Sequence, residues 1–263
     1  MENQLLKKNR IKNQSIVLNG FLGTGKSLLC PVLSSMINIG RSQNVVAYEY
    51  IYILRELKKI DKDASNWLIH TLLDLTSYYS AIGRGINLRW SDDTGLRNSP
   101  FPIKDILSLF SPEGENVIKK IEKHNKATSL MTHNLMLCPE SLIELQDKNV
   151  YFIELVRHPL FLYEHYKNFL ERFDTSKEFT PSFYYKSVKI PWFAYAQKKE
   201  FVKGNLSEKA LICINHSFKS YLSNKDKLRS GVSASYVRLS VGIEHIDNII
   251  DDLTVALDKS QEK

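Results

Sequence analysis

The stretch from Ser15 to Cys30, SIVLNGFLGTGKSLLC, constrains this chain more than any other. An apolar run, Ile16 to Leu18, leads into Gly20-Phe21-Leu22-Gly23-Thr24-Gly25-Lys26-Ser27, which satisfies the pattern G-x-x-x-x-G-K-[ST], and an apolar helical stretch follows. That is the strand, glycine-rich loop and helix order of a phosphate-binding loop. Glycines let the backbone turn with its N–H groups facing one point, and the helix behind them adds the partial positive charge of its N-terminus. Lys26 then supplies a mobile charge to a phosphate or sulfate oxygen, and Ser27 a hydroxyl to the same group or to a metal. Gly23, Thr24, Gly25, Lys26 and Ser27 are therefore the first expected anion-binding residues.

The 263 residues suffice for a substantial core and are read as one domain, with a loop-rich and helical insertion at about 63–126. No apolar run approaches the ~20 residues of a membrane span. The start, MENQLLKKNRIKNQ, has no apolar segment of the kind a secretory signal carries. Cys30, Cys138 and Cys213 lie far apart without metal-ligand spacing, so they read as small buried hydrophobes in a reducing compartment. The expected location is therefore the cytoplasm. A formal net charge of +7 suits an anionic ligand. No motif for nucleic acid accompanies it, and the lysines around 119–126 read as a solvated face.

Along the chain, strands are expected at Ser15 to Asn19, Asn44 to Ala47, Thr128 to Thr132, Val150 to Val156 and Ser235 to Val241. Helical stretches are expected at about Gly25 to Ile39, bent at Pro31, and at Ile51 to Ile60, Trp67 to Tyr79, Leu160 to Phe173, Ser207 to Leu222 and Ile246 to Ala256. Gly83 to Pro102 is dense in turn residues and reads as a long loop, in which Arg84, Arg89 and Arg97 are possible anion contacts. The region from Glu178 to Tyr195 reads as aromatic and irregular, with Phe183 to Tyr195 read as core packing or, alternatively, as the lining of an acceptor pocket. Strands alternating with helices imply an α/β chain with three layers, α/β/α, around a mostly parallel sheet, as in P-loop nucleotide-binding proteins.

An enzyme that uses a nucleoside triphosphate normally adds an Asp at the end of a second buried strand to hold Mg²⁺. The run VYFIELV carries no Asp and ends in Arg157. The order and spacing of the loop, of SLMTHNLMLCPESLIEL and of VYFIELVRHPLFLYEHYKNF resemble the sulfotransferases that use 3′-phosphoadenosine 5′-phosphosulfate, or PAPS. The resemblance implies that the loop binds the 5′-phosphosulfate and that Arg157, in Arg-x-Pro, binds the 3′-phosphate, without any required metal. A guanidinium at the C-terminal end of a strand suits that task.

The same resemblance offers two bases for the acceptor proton. Glu49, expected at a strand end, resembles the catalytic glutamate of protein-tyrosine and some glycan sulfotransferases. His133 resembles the catalytic histidine of the small-molecule enzymes. Two positions depart from the family: Gly23 stands where members carry Arg or Lys, and His165 where they carry a 3′-phosphate serine. Glu244 stands where the family has a structural acid. The implied activity is transfer of a sulfuryl group from PAPS to a hydroxyl of a carbohydrate or small molecule. An ATP-dependent small-molecule kinase and a non-catalytic nucleotide-binding relative are the alternatives.

Overall fold

Ile16, Val17 and Leu18 offer water nothing to solvate, so this segment is stable only in a strand covered on both faces. It forms the central strand β1 (Ser15–Gly20) of a computed structural model describing residues 5, 10–11, 14–124, 126–145, 149–173, 179–231 and 236–241, with side chains up to 220. After β1 come α1 (Lys26–Ser35), β2 (Gln43–Asn44), α2 (Val46–Glu56) and α3 (Lys62–Ala81). The middle of the chain holds α4 (Pro102–Ser108), α5 (Glu115–His124), β3 (Thr128–Met131), α6 (Pro139–Glu144), β4 (Val150–Arg157) and α7 (Tyr163–Phe173). A hairpin of β5 (Ser182–Tyr185) and β6 (Val188–Pro191) follows, then α8 (Lys198–Lys203), α9 (Leu206–Gly231) and β7 (Tyr236–Val241).

The main sheet runs β2-β3-β1-β4-β7 and every pairing in it is parallel. Side chains alternate between its two faces as the pleat requires. Leu18, Met131 and Leu155 pack with Cys30 and Leu33 of α1 on one face. Val17, Leu130 and Val156 enter the larger core on the other, with residues of α2, α3, α6, α7 and α9. The expected three-layer α/β/α arrangement is therefore present. Because all strands point the same way, the glycine loop, the end of β3 and the end of β4 share one edge of the sheet.

Three expectations need correction. The helix after the loop ends at Ser35, not near Ile39. The strand expected over Asn44 to Ala47 is reduced to Gln43–Asn44, and Val46 already opens α2, so Glu49 lies in the first turn of a helix and not at a strand end. The run VVAYEYIYI has β-forming composition, but helical spacing buries Tyr48, Ile51 and Tyr52 together, and the Tyr48 and Tyr52 hydroxyls lie 3.0 Å apart. Third, the segment expected to be irregular after Glu178 contains the β5–β6 hairpin, while Ile190, Trp192 and Phe193 do fill the core. The expected helix over Ile246 to Ala256, and Glu244, lie outside the described residues. Trp67 to Tyr79 lies within α3, and Gly83 to Pro102 is a loop apart from one short 3₁₀ turn at Leu96–Asn98.

A buried amide ties the strand ends together. Asn19 of β1 donates through Nδ2 to Glu154 Oε2 of β4, its register partner. Asn19 Oδ1 accepts from Thr132 Oγ1 at 3.1 Å and from the Leu135 N–H at 3.2 Å, just beyond β3. Removing this amide takes a hydrogen bond from a buried carboxylate and leaves the Leu135 N–H without its acceptor. Asn19→Ala is expected to cost about 2–4 kcal/mol in urea unfolding. An unchanged midpoint would show that these three bonds do not hold the strand ends.

Candidate functional site

The loop between β1 and α1 closes on itself. Thr24 donates through Oγ1 to the Phe21 carbonyl at 2.8 Å, and Lys26 Nζ donates to the carbonyls of Gly20 and Phe21 at 2.7 and 2.8 Å. Thr24 and Lys26 are buried, while Ser27, in the first turn of α1, is half-buried. Gly25 caps α1 in the left-handed conformation, with φ of 92° and open space where a Cβ would stand. Burial lowers the Lys26 pKa to about 8, against the opposing pull of the Glu154 and Glu49 carboxylates. A ligand oxygen entering this loop therefore competes with two carbonyls for an ammonium already held at the right place.

Gly23 is where the loop meets the rest of the site. Its φ of 81° is left-handed, and a Cβ there would lie 2.4 Å from Cδ2 of His165 on α7. Arg157, the last residue of β4, donates from Nη1 to the Gly23 carbonyl at 2.9 Å and lies over the Phe161 ring at 5.2 Å. So the missing side chain at 23 and the histidine at 165 are two halves of one arrangement: the imidazole stands against the glycine. Both residues expected to read the 3′-phosphate, Arg157 and His165, meet the loop at Gly23, the first at its carbonyl and the second in its side-chain space.

Glu49 and His133, expected as alternatives, form a pair. Glu49 Oε2 accepts the backbone N–H of His133 at 2.7 Å and lies 3.5 Å from its ring Nδ1. The carboxylate is buried, and the imidazole keeps 30 % of its surface exposed. Two contacts fix α2, and thus Glu49, against α6. Arg55 makes a two-pronged ion pair with Glu144, at 2.7 and 2.6 Å, and Glu56 Oε2 accepts from the Ser141 N–H at 2.9 Å. Beyond β3 the chain turns through Asn134 in the left-handed conformation at φ 54°, which Asn tolerates better than most residues. The carboxylate at Nδ1 favours the tautomer protonated there, which leaves Nε2 as the proton acceptor.

Compared with protein-family models and with curated proteins, the sequence matches none. The residues therefore have to speak through their geometry. Sequence reasoning missed Glu154 and Asn19, both buried in apolar strands; a lone acid inside VYFIELV and a lone amide ending IVLN were the available signals. Of the loop arginines, Arg84 is engaged by Glu113 and lies over Tyr79, and Arg97 lies over Trp90. Among the described residues no group of three His, Cys, Asp or Glu is gathered to hold a metal ion, and no helix is long and apolar enough to cross a membrane.

The Gly23–His165 contact is open to a double-mutant cycle. Gly23→Ala is expected to lose about 2–4 kcal/mol in urea unfolding, from left-handed strain plus overlap with the imidazole. Gly23→Ala combined with His165→Ala should recover the overlap part and keep the strain. Additive losses would mean that the two residues are not in contact.

Proposed function

We propose that this chain transfers a sulfuryl group from PAPS to a hydroxyl of a carbohydrate or small-molecule acceptor. The observation that carries the reading is the meeting of Arg157 with the loop at Gly23, which sets a guanidinium, an imidazole and the Lys26 loop around one place. In this reading the loop N–H groups and Lys26 take the 5′-phosphosulfate, and Arg157 with His165 takes the 3′-phosphate. The acceptor oxygen attacks sulfur in line, the bond from sulfur to the phosphate oxygen breaks, and 3′,5′-adenosine bisphosphate departs. His133 Nε2 receives the acceptor proton, with Glu49 holding the ring. Lys26 offsets the charge that develops on the bridging oxygen.

An ATP-dependent kinase is the second reading, and one observation favours it. Glu154, buried on the strand beside β1, pulls on the Lys26 charge from the position where such enzymes keep a metal-holding carboxylate. Its bond to Asn19 weighs the other way, since that oxygen is already engaged.

Calorimetric titration with 3′,5′-adenosine bisphosphate in EDTA, against ATP with Mg²⁺, separates the two. The sulfotransferase reading expects metal-independent binding of the bisphosphate, weakened on the order of ten- to a hundredfold by Arg157→Ala. Preference for Mg-ATP overturns it. His133→Ala should slow sulfate transfer by roughly 10²–10⁴, and Glu49→Gln by less.

Lys26 gives the pH dependence its sign. Free, it loses its proton near pH 8. A bound anion raises that value, so the bisphosphate must bind with proton uptake above it. Affinity should fall by up to about tenfold per unit between roughly pH 8 and 10, while Lys26→Met binds weakly and without that slope. Titrations in two buffers of different ionisation enthalpy read the proton directly.

A further inference from the structure

A cavity of about 370 Å³ lies at the other edge of the sheet from the glycine loop. Thr128 and Ser129, at the start of β3, form its floor; the end of α1, the end of α3, α4 and α5 form its walls. Thr128 is the register partner of Ser15, five residues before Gly20, which puts the two sites roughly 16 Å apart along the strand. Its volume is that of a small-molecule site.

The charges around it are uneven. Arg41, Lys104, Lys120 and Lys126 line it, with Asp105 as the one carboxylate, and Asp105 Oδ2 already accepts from Ser99 Oγ at 2.6 Å. Among the described residues none of these four cations makes an ion pair. Arg41 is seated by its neighbours: Gly40 N–H donates to the Ala127 carbonyl at 2.9 Å, and Ser42 N–H to Ser34 Oγ at 3.0 Å. Yet Arg41 Nη2 is buried with no hydrogen-bond partner. A guanidinium nitrogen withdrawn from water and left unbonded is costly unless something else accepts from it. Burial lowers the Arg41 pKa against the pull of Asp105, and Lys126 is lowered by burial and then by the like charge of Lys104. An anion between these groups relieves all three penalties at once. Among the serine and threonine residues and His124 that also line it, Ile39, Phe101, Leu107 and Ile121 offer apolar surface, which suits an occupant with a carbon body as well as a charge.

We propose that this cavity binds a small organic monoester of phosphate or sulfate, its oxyanion on Arg41, Lys104 and Lys126 and its apolar body against Phe101 and Leu107. The assignment stands on this cavity alone and does not depend on the chemistry at the glycine loop.

The test uses the full chain at low ionic strength and three probes with one body: 4-nitrophenyl phosphate, 4-nitrophenyl sulfate and 4-nitrophenol. Calorimetry should find at least one ester binding tenfold or more tightly than the phenol, and the stronger ester identifies the oxyanion. Lys104→Glu with Lys126→Glu should abolish that preference, and Lys26→Ala should leave it unchanged. Lys104→Glu alone, at an exposed side chain, should weaken it several-fold and serves if the double variant does not fold. Equal binding of phenol and esters, absence of binding at millimolar ester, or loss in Lys26→Ala with retention in the charge-reversed variants each overturns the proposal.

Discussion

The side chain of Asn19 is the joint on which the upper edge of this molecule depends. A parallel sheet aligns the ends of its strands but does not by itself fix the turns that leave them. Here one amide spans three strands: it donates to Glu154 on β4 and accepts from Thr132 and Leu135 beyond β3, while its own backbone leads straight into the glycine loop. The loop, the His133 turn and the path of β4 toward Arg157 are thereby held to one another. Each group depends on the others for its satisfaction, and a buried network of this kind tolerates no partial loss.

The strands of the central sheet were legible because burial on both faces demands unbroken apolar runs, and IVL and VYFIELV supply them. The loop was legible because its glycines and lysine have few other uses at that spacing. Glu49 was misplaced for a reason of composition. VVAYEYIYI favours a strand residue by residue, and only the packing of Tyr48, Ile51 and Tyr52 into the core turns the segment into a helix. The β5–β6 hairpin escaped because its turn places Lys186 and Ser187 at positive φ, where Gly or Asn is the usual signal. The pairing of Glu49 with His133 joins residues 84 apart in sequence. Nothing local to either segment announces it.

The fit between positions 23 and 165 has a structural consequence. A cation carried on the loop travels with the loop's backbone, whereas an imidazole carried on α7 is set by the packing of that helix, whose Tyr166 and Leu170 are buried in the core. The imidazole is thereby carried by a packed helix and not by the loop itself. The glycine left behind is then required twice, by its left-handed backbone and by the ring that occupies its side-chain space.

The choice between sulfuryl and phosphoryl transfer comes down to what Glu154 is free to do. For its engaged oxygen to hold a metal it must release Asn19 Nδ2, and the same amide anchors Thr132 and the Leu135 N–H on either side of His133. Recruiting the carboxylate through Oε2 would therefore loosen the turn that presents the imidazole. A chemistry that needs His133 in place and no metal is compatible with the network as it stands. A chemistry that puts Glu154 Oε2 on a metal requires that network to be taken apart, whereas Oε1 takes no part in the Asn19 bond. The proposed sulfuryl transfer leaves every bond of this network in place, and a metal-dependent transfer does so only if it is served by Oε1.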